Sequence, residues 1–236
     1  MIKINGISKK FGKLQVLRNI NLHLSAGECV ALIGPNGCGK TTLIKSILGM
    51  VLPQEGNIAV NGQSIKKNRD YRQYIGYMPQ IGRYPQNMSI GQVLNMLANI
   101  RQNSGVADQV LYERFGMANL LHKRMGTLSG GTIQKVSAVL AFYFAPQVLI
   151  LDEPTAGLDP LAAEILKDKI LAEKEKGKLI LISSHLLSEL DGLVSQVVFM
   201  QEGQIAFHQP VEMLKEATGA SSIAQAIIHV LKGQQL

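Results

Sequence analysis

Val30-Ala31-Leu32-Ile33-Gly34-Pro35-Asn36-Gly37-Cys38-Gly39-Lys40-Thr41-Thr42 decides the fold of this 236-residue chain. From Gly34 onward the stretch fits G-x-x-x-x-G-K-[ST], a loop that cradles nucleotide phosphates. Val30 to Ile33 is a short apolar, partly β-branched run and reads as a buried parallel strand entering the loop. Gly34, Gly37 and Gly39 lack Cβ atoms, so the backbone there can turn tightly and aim several N–H groups at one anion. After Thr41 the period becomes helical, with Leu43, Ile44, Ile47 and Leu48 recurring on one face. Phosphates held here meet a helix N-terminus, whose free N–H groups and dipole favour negative charge. In this motif Lys40 reaches the β- and γ-phosphates and the Thr41 hydroxyl ligates Mg²⁺. The nucleotide is therefore assigned to Gly34, Pro35, Asn36, Gly37, Cys38, Gly39, Lys40, Thr41 and Thr42.

Bulk properties narrow the field around this loop. The length suits one domain over residues 1–236, with ample room for a core. The start, Met1-Ile2-Lys3-Ile4-Asn5, has no long apolar stretch of the signal-peptide kind. Val136 to Leu151, the most apolar segment, is broken by Pro146 and too short to span a bilayer, so it reads as a buried helix followed by a core strand. Cys29 and Cys38 lie on the first core strand and in the phosphate loop, where a disulfide would deform the loop; free thiols in a reducing cytosol are expected. The net charge is +7, but the basic residues are scattered and aromatic residues are few. A solvated surface beside an anionic membrane face suits that pattern, and no nucleic-acid partner is expected.

Three more segments carry chemistry. Val148-Leu149-Ile150-Leu151 reads as a buried strand and ends in Asp152-Glu153; two carboxylates in that place are costly unless used. In a phosphate-loop protein Asp152 holds Mg²⁺, and Glu153 then faces the attacking water as its general base. Leu179-Ile180-Leu181-Ile182-Ser183-Ser184 delivers His185 to a strand end, the edge of an open α/β sheet where ligands bind. Tyr77-Met78-Pro79-Gln80 adds Gln80 as a further candidate.

The order of these pieces, together with Leu128-Ser129-Gly130-Gly131-Thr132 and Ala156-Gly157-Leu158-Asp159-Pro160, resembles the ATP-binding subunit of an ABC transporter from about Ile2 to Phe207. The resemblance implies an α/β fold: a phosphate-loop ATPase core with a mixed sheet, a small antiparallel β subdomain and an inserted α-helical subdomain at about 83–137. A C-terminal helix at about 221–232 is expected from the spacing of Ile223, Ile227, Ile228 and Leu231. By resemblance, Phe11 stacks on adenine, Gln80 touches Mg²⁺ and the attacking water and senses the membrane partner, and His185 contacts the γ-phosphate. Ser129, Gly130 and Gly131 form a signature loop that reaches ATP bound to a second copy, and Asp159 belongs to a loop crossing the dimer interface. Two positions depart from the usual pattern: Thr132 stands where glutamine is common, and Cys38 where serine or alanine is common.

The implied partners are a second copy of this chain, closing on ATP and Mg²⁺, and a separate multi-span membrane subunit gripped around Gln80 and Ile81–Gln86. The implied location is cytoplasmic, on the inner face of the membrane. More narrowly, Ile75–Pro85 and Leu128–Val136 resemble the ATPase that matures nitrous-oxide reductase, which works with a periplasmic protein to deliver copper or sulfur. The histidines and cysteines of this chain show no metal-ligand spacing of their own. A soluble ABC ATPase of an assembly pathway, such as iron–sulfur cluster biogenesis, is the alternative; the catalytic motifs do not separate the two. Kinases and small GTPases lack the signature loop.

Overall fold

The computed structural model describes residues 1–101 and 107–233; residues 102–106 of the expected helical subdomain lie outside them. The chain opens with an antiparallel hairpin, β1 (Ile2–Phe11) and β2 (Leu14–Leu24), followed by β3 (Cys29–Ile33) and α1 (Lys40–Ile47). Next come β4 (Glu55–Val60), β5 (Gln63–Ser64) and β6 (Ile75–Met78). Helices α2 (Ile90–Arg101), α3 (Val110–Arg114) and α4 (Gly130–Phe142) separate β6 from β7 (Val148–Asp152). The rest is α5 (Pro160–Glu175), β8 (Leu179–Ser183), β9 (Gln196–Gln201), β10 (Gln204–Pro210), α6 (Val211–Thr218) and α7 (Ile223–Gly233).

The strands form two sheets. A small antiparallel sheet has the order β2-β1-β4-β5, and the central one runs β10-β9-β3-β8-β7-β6. Within the central sheet all neighbours are parallel except β10, which returns antiparallel on β9. This is the mixed sheet with an antiparallel β layer that the resemblance implied.

Alternation along the central strands explains why β3, β7 and β8 read as unbroken apolar runs. Cys29, Ala31 and Ile33 join a cluster with α4 and α5, while Val30 and Leu32 join one with α1 and the antiparallel sheet. Leu149 and Leu151 divide from Val148 and Ile150 in the same way, as do Ile180 and Ile182 from Leu179 and Leu181. A sheet covered on both faces has no polar side, so the period-2 signal vanishes from these strands. Truncating any of the buried leucines or isoleucines among them to alanine removes about 2–5 kcal/mol of stability.

Capping places the helices that matter for the site. Ser129 caps α4, accepting from the Thr132 N–H, and Asp159 caps α5 ahead of Pro160 at its first turn. At the C-terminus α7 buries Ile223 and Ile227 but leaves Ile228 half-exposed at 50%. The apolar face expected from Ile223, Ile227, Ile228 and Leu231 is therefore narrower than its spacing suggested.

Candidate functional site

The phosphate loop connects β3 to α1 at one end of the central sheet. Gly34 is the position that needs glycine most: its φ is +152°, and a Cβ there would lie 2.1 Å from the Met200 carbonyl oxygen and 2.8 Å from Cys38 Sγ. Loop and β9 are in backbone contact, and Gly203 N–H also donates to the Cys38 carbonyl at 3.1 Å. Gly39 precedes α1 with φ 111°, no side chain caps the helix, and its first turn holds no acidic residue. The Lys40 ammonium donates to the carbonyls of Gly34 at 2.7 Å and Pro35 at 3.2 Å. This set of uncapped helical N–H groups and one lysine, with Thr41 exposed beside it, fits a polyphosphate and its divalent cation.

Three strand ends bring acids, amide and imidazole to the same edge. Asp152 ends β7 and pairs in register with Ser183 at the end of β8. Burial pushes the Asp152 carboxyl up, the hydrogen bond from the Ser183 hydroxyl works against that, and Lys40 and Lys45 lower it further from nearby. A buried carboxylate answered by a lysine and a hydroxyl is suited to holding a cation. Glu153 follows with φ 50°, a left-handed conformation that glutamate seldom adopts, and this turn swings its side chain out of the strand line. Glu153 Oε2 accepts from Gln80 Nε2 at 3.0 Å, and His185 Nδ1 lies 3.0 Å from the same oxygen. Gln80, Glu153 and His185 come together although 73 and 32 positions separate them in sequence.

Ser129, Gly130, Gly131 and Asp159 gather elsewhere, and no hydrogen bond or ion pair among the described residues joins them to the phosphate loop. Gly131 packs so closely that an added Cβ would lie 2.9 Å from the Gly157 carbonyl oxygen. Lys135, one turn further along α4, pairs with Asp159 at 2.6 Å. Phe11 ends β1 half-exposed, with the Lys9 ammonium 5.2 Å from its ring centre. Ser183 and Lys135 are the participants that the sequence reading missed. Ser183 was findable as the last residue of an apolar strand, whereas nothing local marks Lys135.

Cys38 is only 5% exposed, and Cys29 is fully buried with its thiol pushed up to about 12 by burial. Both are free thiols. The Cys38 sulfur packs under Gly34 and not on the loop surface.

Residues 17–156 match the family model described as ABC transporter. The chain is 30% identical over 240 residues to an uncharacterized ABC transporter ATP-binding protein, YxlF, of Bacillus subtilis (strain 168), covering 99% of this chain and 79% of that one. It is 34% identical over 205 residues to the lantibiotic transport ATP-binding protein SrtF of Streptococcus pyogenes, covering 87% and 89%. A solved structure described as the ATP binding subunit of an ABC transporter superposes with a TM-score of 0.88 at 28% identity, over 98% of this chain and 99% of that one.

Proposed function

Since the chain belongs to the ABC transporter family as an ATP-binding, ATP-hydrolysing subunit that uses ATP with Mg²⁺, we propose that it drives a separate membrane subunit by closing as a dimer around nucleotide. The observation that carries this reading is the split in the site. Phosphate loop, Asp152, Glu153, Gln80 and His185 share one sheet edge, while Ser129, Gly131 and Asp159 form a second cluster whose side chains make no hydrogen bond or ion pair to it among the described residues. One chain holds both halves of a site but does not join them, so a second copy supplies the missing half.

Mg²⁺ held here would supply neutralisation of the phosphate charge. The chain's own residues do the rest. Lys40 and the α1 N-terminus bind the phosphates, Thr41 and Asp152 hold the cation, and Phe11 offers a face to the base. Glu153 takes the proton of the attacking water, with Gln80 and His185 fixing the carboxylate oxygen that receives it. The Ser129 hydroxyl and the N–H groups of Gly130 and Gly131 meet the phosphates held by the second copy.

The membrane subunit docks in the cleft beside Gln80. There a cavity of about 370 Å³ is lined by Met50, Arg72, Tyr77, Arg83, Tyr84 and Arg101 among others, next to the exposed Ile81. No described helix is long and apolar enough to cross a membrane itself. We place the chain on the cytoplasmic face of that subunit. The finer assignment, copper or sulfur handling for nitrous-oxide reductase with a periplasmic protein, rests on Ile75–Pro85 and Leu128–Val136 alone; SrtF, by its name, serves lantibiotic transport.

Affinity purification of the tagged protein from gently solubilised membranes of its own host tests all of this. A multi-span membrane protein in the eluate supports the transporter reading, and a periplasmic copper-site maturation protein with it supports the finer one. A different permease removes the finer reading alone. Exclusively soluble partners overturn the transporter reading in favour of an assembly ATPase.

A further inference from the structure

We propose that Thr132 is a positioning residue whose hydroxyl turns the proton of Ser129 outward, toward the nucleotide phosphate of a second copy. The proposal rests on the reading that Ser129 meets that phosphate.

The geometry at the start of α4 is specific. Ser129 is the N-cap, exposed, with φ −67° and ψ 156°. Its Oγ accepts the Thr132 backbone N–H at 3.3 Å and lies 2.8 Å from Thr132 Oγ1. A serine hydroxyl has two acceptor lone pairs and one proton. When Thr132 donates its hydroxyl as well as its N–H, both lone pairs are filled and the Ser129 proton is what remains to offer. With the opposite polarity, Ser129 spends its proton on Thr132 and presents a lone pair to whatever approaches. A phosphate oxygen is an acceptor only, so an arriving phosphate selects the first polarity. The resulting chain, Thr132 O–H to Ser129 O–H to phosphate, is polarised along its length, which makes Ser129 a stronger donor.

Thr132 departs here from what a helical hydroxyl ordinarily does. Ser137, further along the same helix, donates back to the Ile133 carbonyl at 3.0 Å, the usual fate of such a group. Thr132 occupies the third helical position, where a capping box carries glutamate or glutamine long enough to reach the N-cap's own N–H. Threonine is too short for that, and its hydroxyl meets the serine hydroxyl instead. The residue that breaks the usual signature pattern thus touches the group that the signature presents.

The test uses full-length protein carrying Glu153→Gln to slow turnover. Sedimentation measures dimerisation with ATP and Mg²⁺, and a fluorescent ATP analogue measures binding to the monomer. Thr132→Val keeps the side-chain shape and the backbone cap but removes the hydroxyl. Thr132→Ser restores it, and Ser129→Ala is the reference. The expected result is a dimer weakened about tenfold or more by Thr132→Val, since one hydrogen bond is worth about three- to tenfold and the closed dimer holds two copies of the contact. Monomer affinity stays unchanged, and Thr132→Ser recovers dimerisation. A Thr132→Val dimer as tight as the parent, with Ser129→Ala weakened, overturns the proposal and leaves the reading of Ser129 intact. Failure of Thr132→Ser to recover dimerisation also overturns it. A Ser129→Ala dimer as tight as the parent overturns the reading of Ser129 and the proposal together.

Discussion

Lys135 Nζ lies 2.6 Å from Asp159 Oδ2, so the helix that starts at Ser129 and the loop that ends at Asp159 are tied together at an exposed edge. The hydrogen bond from Lys135, then that from the Ala162 N–H, holds the Asp159 carboxyl below the usual carboxylate range. Asp159 thus caps α5 and anchors α4 at once. With Gly131 packed on the Gly157 carbonyl, the start of α4 and this loop are held together as one piece.

Lys135→Ala leaves the Asp159 cap in place and frees the two segments from each other. ATPase kcat is expected to fall about three- to tenfold, the scale of coupling between touching residues, with nucleotide affinity of the monomer unchanged. Lys135→Arg should restore most of the rate. Steady-state kinetics that show a loss confined to KM would contradict the link.

Glu153→Gln keeps an oxygen for Gln80 Nε2 to donate to and removes the proton acceptor. Hydrolysis should drop by about 10²–10⁴, the usual contribution of a general base, with ATP still bound. Phosphate release in a single-turnover experiment measures it; a rate near that of the parent would remove Glu153 from the base role.

Gly34→Ala forces a Cβ to within 2.1 Å of the Met200 carbonyl, a backbone atom held in β9. The strand cannot yield, so the loop must move. A destabilisation of about 2 kcal/mol is expected from this overpacking and from the strained φ. Thermal melting reports the first effect, and loss of fluorescent-nucleotide binding reports the displaced loop.

Glu173 is fully buried on α5 and answers three lysines, Lys169, Lys176 and Lys178, with Lys169 also paired to Asp108 ahead of α3. Burial works against the charged carboxylate, but the lysine hydrogen bonds outweigh it and hold the group at about 2, below its ordinary 4.5. A depressed carboxyl contributes stability that is fully present above pH 4.5 and drains away as the pH falls toward 2. Glu173→Leu should cost about 3 kcal/mol at neutral pH by stranding the buried Lys169 without its nearest helical partner. Urea unfolding at pH 7 and pH 3 should show the parent losing stability between the two and the variant losing less.

Iodoacetamide should label Cys38 slowly and leave Cys29 untouched, because Cys29 is fully buried with its thiol raised to about 12. ATP with Mg²⁺ should slow Cys38 further by closing the loop over it. Peptide mass mapping with and without nucleotide reads both; equal labelling in the two conditions would separate Cys38 from the nucleotide.

The sequence by itself determined what neighbouring residues enforce on one another. Thirteen contiguous residues set a strand, a glycine loop and a helix start, because backbone N–H direction and helix capping are properties of a single turn. Ser129 and Asp159, which the structure shows as the caps of α4 and α5, obey the same single-turn geometry. The buried strands were legible as apolar runs, and the mixed sheet followed from the family resemblance they carry. Tertiary structure alone decided which side chains meet. Gln80, Glu153 and His185 converge because β6, β7 and β8 lie parallel with their ends aligned, a register fixed by burial on both faces of the sheet and by no local signal. Ser183 finds Asp152 through that same register. Lys135 finds Asp159, and Lys169 finds Asp108, because helices pack on the sheet in one particular way. Hydrogen-bond partners within a turn are written in the chain, whereas partners across the core depend on how the apolar faces close.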